Sequence, residues 1–269
     1  MRHLALATCA ALLAALPLQA QSFSTHPCSD NHNNNDGGFF SALFGGTDQV
    51  CEMRTATVPL VNGHVNVNAV NGGIEVIGQD RQDIALEARV TARGSSQSDA
   101  ESILHQVTIE TGATIQGNGP RFFFGSRSWN VSFRLLVPHH LAANFHTSNG
   151  GLTLTALDGD IHGETTNGGL TLDNLAGDVH TSTTNGGIHA TLTGPTWRGG
   201  GLSATTINGG VTVSVSHPYS AHFVASTVNG GISGLGNTPA GSHRHVDTNL
   251  GSGGPTIRFE TINGGVSVQ

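Results

Sequence analysis

The stretch TTNGGLTLDNLAGDVHTSTTNGGI, residues Thr165–Ile188, contains the pentapeptide Thr-Thr-Asn-Gly-Gly twice, with the two copies eighteen residues apart. Asn-Gly-Gly occurs seven times in the chain, beginning at Asn71, Asn149, Asn167, Asn185, Asn208, Asn229 and Asn263. From Asn149 onward the spacings are 18, 18, 23, 21 and 34 residues. Self-similarity at this period is typical of repeat architectures, in which each unit packs on its neighbours.

The residues around each copy alternate between apolar and polar. Three places after each asparagine of these copies the residue is aliphatic: Ile74, Leu152, Leu170, Ile188, Val211, Ile232 and Val266. The residue four places after is always polar, and the residue six places before is always apolar. A period of two indicates strands with one buried face. We therefore predict an all-β fold, a β-solenoid resembling a parallel β-helix, with coils of roughly 18–23 residues and Asn-Gly-Gly corners.

The corner itself has a predicted role in stacking the coils. Glycine is expected where the chain turns with positive φ, and an asparagine amide can both donate and accept hydrogen bonds. Stacked amides would form a structural ladder from Asn149, Asn167, Asn185, Asn208, Asn229 and Asn263, with a threonine two places before each lying alongside. The rival interpretation of Asn-Gly is a hairpin turn. The eighteen-residue register argues against it for the repeats, although single copies such as Asn62-Gly63 can be hairpins.

Residues 79–148 interrupt the repeat. Strand patterns occur at Ile84–Thr91, Val107–Thr111 and Trp129–Val137. Ser98-x-x-Glu101 matches a capping box and predicts one short helix. We expect this inserted section to pack on, or cap, one end of the solenoid, where it would cover an open sheet edge.

The beginning of the chain reads as a targeting segment followed by an extension. Residues 1–20 contain the apolar run Leu4–Leu18 and a small residue, Ala20, which predicts a secretory signal peptide. A lipoprotein site at Cys9 is a poorer fit, because apolar sequence continues beyond it. No later segment approaches the ~20 apolar residues of a membrane-spanning helix. The mature protein is therefore expected in the periplasm, outside the cell or on its surface.

Cys28 and Cys51 remain after the predicted cleavage. In an oxidising compartment they are expected to form a disulfide, which would stabilise the fold by about 3 kcal/mol on a chain-entropy model. Two free thiols are the alternative. We assign residues 21–52 to an N-terminal extension and residues 53–269 to the solenoid domain.

Composition excludes several classes of function. The chain has eleven arginines, no lysine, eighteen acidic residues and a formal net charge of −7. A P-loop lysine, a Schiff-base lysine and a polybasic nucleic-acid surface are therefore excluded. There is no G-x-S-x-G nucleophile elbow, and no cofactor motif is present.

The order of motifs resembles a known bacterial family. Asn71-Gly-Gly is followed by Asp80-Arg-x-Asp83, a charged strand, Ser98-Asp-Ala-Glu101, Arg134-Leu-Leu-Val-Pro138 and the Thr-x-Asn-Gly-Gly coils. This order is similar to that of the candidate adhesins with β-strand repeats, a family of unassigned function related to the head domains of autotransporter-like adhesins. The resemblance covers about Thr55 to Gln269 and leaves out both cysteines. It implies a β-solenoid-like domain and brings no catalytic or binding residue with it.

Candidate metal ligands are few. His162 and His180 occupy equivalent positions in successive coils and could ligate a transition metal, but the equivalent residues supply no third ligand, so a solvated polar face is the preferred interpretation. The pair His243 and His245 is a similarly weak candidate. Asp158-Gly-Asp160 with Asp178 could bind calcium at the second corner of the coil.

Two classes of function stay open. The first is an exported, non-catalytic adhesin or envelope-binding protein, whose partner would be a cell-surface glycan or an envelope protein. The alternatives are a carbohydrate-active enzyme, such as a polysaccharide lyase or hydrolase, on a similar scaffold, and a purely structural envelope protein. Two apolar loops, Phe39–Phe44 and Pro120–Phe124, could be contact sites, although we favour their folding back over a solenoid end.

Overall fold

The computed structural model describes residues 22–28, 48–122, 125–234 and 244–269, and these residues form an all-β fold with one helix. The predicted signal peptide and the Phe39–Phe44 loop lie outside the described residues. The elements in chain order are β1 (Ser24–Pro27), β2 (Asp48–Pro59), β3 (His64–Asn71), β4 (Ile74–Gln79), β5 (Asp83–Gly94), α1 (Gln97–Gln106), β6 (Thr108–Thr111), β7 (Ile115–Asn118), β8 (Ser128–Pro138), β9 (Ala142–Asn149), β10 (Leu152–Thr155), β11 (Asp158–Asn167), β12 (Leu170–Asp173), β13 (Ala176–Asn185), β14 (Ile188–Leu192), β15 (Gly201–Asn208), β16 (Val211–Val215), β17 (Ala221–Asn229), β18 (Ile232–Ser233), β19 (His245–Leu250), β20 (Thr256–Asn263) and β21 (Val266–Val268).

The strands form two sheets. The first has the order β1-β2-β5-β8-β4-β10-β12-β14-β16-β21-β18, and the second has the order β19-β17-β20-β15-β13-β11-β9-β3-β7-β6. From β8 to β18 in the first sheet, and from β17 to β7 in the second, all neighbouring strands are parallel. Each repeat contributes one strand to each sheet, and the Asn-Gly-Gly corner joins the two.

Successive repeats pair residue for residue. Leu170 lies opposite Leu152 on one side and opposite Ile188 on the other, and Asn167 lies opposite Asn149 and Asn185. The aliphatic position three places after each asparagine is buried in every repeat, with exposures of 0–2%. The alternation in the sequence therefore corresponds to strands that bury one face, as predicted. Burial of each such side chain contributes about 1.5–3 kcal/mol.

The inserted section extends the sheets at one end. β8 pairs in parallel with β4 and antiparallel with β5, which pairs antiparallel with β2. The β6–β7 hairpin joins the edge of the second sheet through β3. Helix α1 packs on β2 and β5 and buries Ala100, Ile103 and Leu104. Arg54 caps this helix by donating to Leu104 O at 3.0 Å and to Val107 O, which places a cation at the negative end of the helix dipole.

The predicted helix is present, but its predicted start at Ser98 is wrong. The N-cap is Ser96, whose Oγ accepts from Asp99 N at 3.2 Å. Asp99 Oδ2 in turn accepts from Ser95 N at 2.9 Å. Asp99 therefore supplies the acidic side chain of the cap, the role that the sequence pattern assigned to Glu101. The donating N–H group belongs to Ser95, one residue before the N-cap.

Asn62-Gly63 forms a tight turn closed by the isolated bridge of Val61 with His64, but β2 and β3 on either side of it lie in different sheets, so it does not join a hairpin of paired strands. Both central residues have positive φ, 53° and 68°, and His64 N donates to Val61 O at 3.0 Å. Positive φ at both positions is the requirement of a type I′ turn, and Asn-Gly is its preferred sequence.

The N-terminal strand is attached by the predicted disulfide. Cys28 and Cys51 are bonded, with their Cα atoms 5.6 Å apart, and β1 pairs antiparallel with β2. β2 runs without interruption from Asp48 to Pro59, so the boundary that we place after Glu52 falls within a strand.

The last coil does not occupy the last place in the stack. β20 lies between β15 and β17 in the second sheet, and β21 lies between β16 and β18 in the first. The coil formed by β17 and β18 is therefore displaced outward by the C-terminal coil, and β19 covers the outer edge of β17 through antiparallel pairing.

Candidate binding surface

The asparagines of the seven corners form one row of hydrogen-bonded amides, which we call the amide ladder. Asn149 Nδ2 donates to Asn71 Oδ1 at 2.8 Å, and the same bond repeats at every step. The remaining donor and acceptor pairs, 2.8–3.0 Å long, are Asn167–Asn149, Asn185–Asn167, Asn208–Asn185, Asn263–Asn208 and Asn229–Asn263. Every donor points toward the N-terminal end of the stack. The ladder includes Asn71, which the sequence pattern alone did not assign to it.

Beside the amide ladder runs a row of buried threonine hydroxyls. Thr165 Oγ1 donates to Gly150 O at 2.9 Å, in the preceding coil. The equivalent bonds, each 2.7–2.8 Å long, join Thr147 to Gly72, Thr183 to Gly168, Thr206 to Gly186, Thr261 to Gly209 and Thr227 to Gly264. The first repeat has Ala69 in this position, paired with Thr147.

The prediction that the corner glycines are needed for positive φ is wrong. Among these glycines, only Gly72 has a φ in the left-handed range, at 141°. A Cβ at Gly168 would instead lie 1.9 Å from Gly150 O, and one at Gly186 would lie 2.0 Å from Gly168 O. The first glycine is thus required by the close approach of neighbouring coils. Positive φ occurs at the other corner of the coil, at Ala156 (56°) and Asn174 (51°).

His162 and His180 are neighbours on the outer face of the second sheet. Their rings stack with centroids 5.4 Å apart and planes 12° apart. Each Nε2 lies 3.2 Å from the carboxylate two residues earlier, on Asp160 and Asp178 respectively. Stacked rings cannot direct two nitrogens at one ion, so this arrangement orients the imidazoles toward carboxylates and solvent.

The other candidate metal ligands do not converge on a common point. Asp158 Oδ1 lies 3.9 Å from His140 Nδ1, and His245 is exposed in β19, whereas His243 is not among the described residues. Within the described ranges, no three His, Cys, Asp or Glu side chains come together in a way that could hold a metal ion.

A shallow groove crosses four strands of the second sheet at the histidine pair, and we call it the histidine groove. Its volume is about 390 Å³. Its polar lining consists of Asn144, His146, His162, Glu164, His180, Ser182, Ser203 and Thr205. These residues belong to in-register rows on β9, β11, β13 and β15. The groove therefore presents amide, imidazole, carboxylate and hydroxyl groups at the strand spacing of about 4.8 Å.

A second depression, of about 460 Å³, lies on the outer face of the first sheet, and we call it the arginine depression. Arg134 Nε lies 3.2 Å from Glu75 Oε2, and Arg134 Nη1 lies 3.4 Å from Glu87 Oε2. Met53 and Arg89 line the same depression. Sequence reasoning missed this cluster because β2, β4, β5 and β8 bring its members together from separate parts of the chain. The signal was the charge on the inserted strands, which carry Glu87, Arg89 and Arg134.

The Pro120–Phe124 loop is described in part. Phe122 is half-buried and packs against the core, in agreement with the folded-back interpretation, while Phe123 and Phe124 lie outside the described residues. Among the residues that the structure describes, no helix is long and apolar enough to span a bilayer.

Comparisons with known proteins identify similar structures at low sequence identity. A candidate cell adhesion protein from Clostridium sporogenes is 10% identical, with a TM-score of 0.43 over 82% of this chain and 98% of its own. A candidate adhesin from Bacteroides fragilis is 11% identical, with a TM-score of 0.35 over 80% and 95%. A candidate lipid-binding protein from Parabacteroides distasonis is 10% identical, with a TM-score of 0.31 over 81% and 96%.

The names of these similar structures agree with the resemblance of the sequence to candidate adhesins. No protein-family model matches the chain, and no curated protein sequence matches it. No residue role is transferred from the similar structures, so the function has to be argued from this chain's own surfaces.

Proposed function

We propose that this protein is an exported, non-catalytic adhesin or envelope-binding protein built as a β-solenoid. The residue-for-residue pairing of successive Asn-Gly-Gly repeats supports the solenoid, because each repeat adds one coil to both sheets. The disulfide between Cys28 and Cys51 supports export, since such bonds persist in oxidising compartments. In this proposal residues 1–20 are a signal peptide, residues 21–52 an extension and residues 53–269 the solenoid with residues 79–148 inserted.

The histidine groove is the proposed contact surface, and its regular polar rows are the observation that carries the proposal. Across four neighbouring strands, one row consists of Asn144, His162, His180 and Ser203, and the other of His146, Glu164, Ser182 and Thr205. A ligand with hydroxyl groups at regular intervals could exchange hydrogen bonds with each row. An extended cell-surface glycan has this chemistry, and it needs neither a metal nor a cofactor.

A glycan-binding array tests the proposal with a matched pair of variants. The double substitution His162→Ala and His180→Ala removes two side chains of the groove, whereas His189→Ala removes an exposed histidine from the other sheet. We expect the double variant to lose about tenfold or more in affinity, because several hydrogen bonds of ~1 kcal/mol each are removed. We expect His189→Ala to bind as the parent does.

Two results would contradict this assignment. If the double variant binds as tightly as the parent, the groove is not the contact surface. If the parent binds no glycan on the array, the proposal that the groove binds glycans is rejected, and a structural envelope role becomes the better explanation.

The arginine depression favours a carbohydrate-active enzyme as the second candidate. Glu75 and Glu87 flank Arg134 on neighbouring strands, and paired carboxylates are the usual catalytic groups of glycoside hydrolysis. Both carboxylates contact the same guanidinium. A screen for polysaccharide cleavage with Glu75→Gln, Glu87→Gln and, as the control, the exposed Glu101→Gln separates the candidates. Turnover lost in the first two variants alone would replace the adhesin proposal.

A further inference from the structure

The seven Asn-Gly-Gly corners share a chemical hazard. The backbone nitrogen that follows an asparagine can attack the side-chain amide carbon, and glycine leaves this nitrogen unhindered. The nitrogen loses its proton, a bond forms to Cγ, and the amide nitrogen leaves as ammonia, which gives a cyclic imide. Water then opens the imide at either carbonyl and yields aspartate or isoaspartate. Nothing except water is consumed.

In six corners the attacking nitrogen is already engaged. Gly150 N donates to Asn167 O of the next coil at 3.1 Å. The equivalent bonds, 2.9–3.1 Å long, are Gly72–Asn149, Gly168–Asn185, Gly186–Asn208, Gly209–Asn263 and Gly264–Asn229. Attack on the amide requires this bond to break first, which lowers the population of the reactive geometry.

The amide that would be attacked is held in the same six corners. Each of their Oδ1 atoms accepts a hydrogen bond from the next asparagine of the ladder, at 2.8–3.0 Å. The side chain must leave the ladder before Cγ can approach the backbone nitrogen. These corners therefore carry two restraints, one on each reacting group.

Asn229 ends the ladder, so no further corner among the described residues supplies it with either of these two bonds. Its Nδ2 donates to Asn263 Oδ1, but neither its own Oδ1 nor Gly230 N has a hydrogen-bond partner among the described residues. Among the described residues, the backbone bonds from β17 to the segment of β19 extend to Thr227 N, which donates to Arg244 O at 2.8 Å. Gly230 is exposed, whereas the first glycine of every other corner is half-buried.

We propose that Asn229 is a site of spontaneous deamidation in the folded protein, and that the amide ladder protects the other six corner asparagines. The product carries one more negative charge. Its carboxylate has no hydrogen to donate to Asn263 Oδ1, so the last bond of the ladder is lost. In the isoaspartate form the main chain is also lengthened between β17 and β18.

Peptide mapping by mass spectrometry tests this proposal on the purified full-length protein. One sample is kept folded at mildly alkaline pH, and a second is kept in the same buffer with urea. In the folded sample we expect Asn229 to gain the mass of deamidation about tenfold faster than Asn167 and Asn185, because two hydrogen bonds are missing there. In urea we expect the three to react at similar rates, since their local sequences are alike.

Each alternative outcome has a definite meaning. Equal rates for Asn229 and Asn167 in the folded sample would overturn the proposal, and so would an equally large excess at Asn229 in urea. Asn229→Gln is the matched control, because it keeps the amide but lengthens the ring that must form. A mass gain that persists in the same peptide of this variant would assign the reaction to a different asparagine.

Discussion

At the residue scale, two side chains of each corner bond to the neighbouring coils: a buried threonine and an exposed asparagine. Thr165 is 1% exposed and satisfies the carbonyl of Gly150, whereas Asn167 is exposed and bonds to two other exposed amides. The sequence indicated both columns, because both repeat with the coil. It did not indicate which of the two was buried.

We expect Thr165→Val to destabilise the protein more than Asn167→Ala. Valine keeps the volume but leaves the buried Gly150 carbonyl without its hydroxyl partner, at a cost of about 1–3 kcal/mol. The partners of Asn167 can turn to water, which reduces the cost of Asn167→Ala to about 1 kcal/mol. Thr171→Ala, on the exposed face of β12, is the control and should change stability by less than ~0.5 kcal/mol.

Urea denaturation of the three variants measures these differences. An Asn167→Ala variant that is less stable than Thr165→Val would mean that the ladder, and not the hydroxyl row, holds the corner together.

The two glycines of one corner should respond differently to alanine. A Cβ at Gly168 would lie 1.9 Å from Gly150 O, a backbone atom that cannot move aside, whereas one at Gly169 would lie 3.3 Å from Gly187 O. We expect Gly168→Ala to cost about 3 kcal/mol or more through displaced coils, and Gly169→Ala about 1 kcal/mol or less. Thermal unfolding midpoints compare the pair. Equal midpoints would show that the coils can separate without penalty at this point.

At the element scale, the strands were predictable and the ends of the helix were not. The alternation of apolar residues located β5, β8 and the repeat strands, because burial of one face requires that period. The start of α1 depended on which of several serines and acidic residues formed the cap. The stretch Ser95–Glu101 offers two overlapping capping patterns, and the choice was made by tertiary contacts, including the ion pair of Arg127 with Asp99 at 2.8 Å.

Asp99 gives helix α1 a dependence on pH. The hydrogen bond from the Ser95 backbone N–H group, followed by that from Arg127, holds the pKa of Asp99 below its usual 3.8. A lowered pKa in the folded state contributes stability above pH 3.8, and this contribution is lost as the pH falls through the folded value.

We therefore expect Asp99→Asn to lower stability at neutral pH and to flatten the loss of stability below pH 3.8. Chemical denaturation of parent and variant across acidic pH measures this effect, with Glu101→Gln as the control on the same helix. An unchanged acid profile in Asp99→Asn would assign that profile to other carboxylates.

At the scale of the whole molecule, the repeat predicted the strands of each coil but not the order in which the coils stack. Spacings of 18 residues made neighbours in sequence neighbours in space from Asn149 to Asn185. The spacing of 34 before Asn263 indicated an insertion, which forms β19. Nothing in the sequence required β20 to enter between β15 and β17, because all these strands share one inward pattern. The two surface depressions were unpredictable for the same reason, since they depend on which strands adjoin.

Removal of residues 256–269 should therefore disrupt more than one coil. β17 and β18 would lose their parallel partners, and Phe223 would lose its ring contact with Phe259, whose centroid is 5.9 Å away. We expect hydrogen exchange in Ala221–Ser233 to lose its protection, while β11 and β13 keep theirs. Protection retained in β17 would mean that it can pair directly with β15, which would make the observed order one of two accessible arrangements.

The position of β20 and β21 inside the stack also affects the order in which the strands can pair during synthesis. A protein released from a ribosome or a translocon emerges from its N-terminus, and the rungs up to β16 can assemble as they appear. The residues of β17 and β18 emerge before β20 and β21, the strands with which they pair, so their pairing has to follow the synthesis of these later strands. Pairing of β17 and β18 is thus delayed until β20 and β21 have been synthesised, and a chain that stalls between these segments is left with unpaired strand edges that favour aggregation.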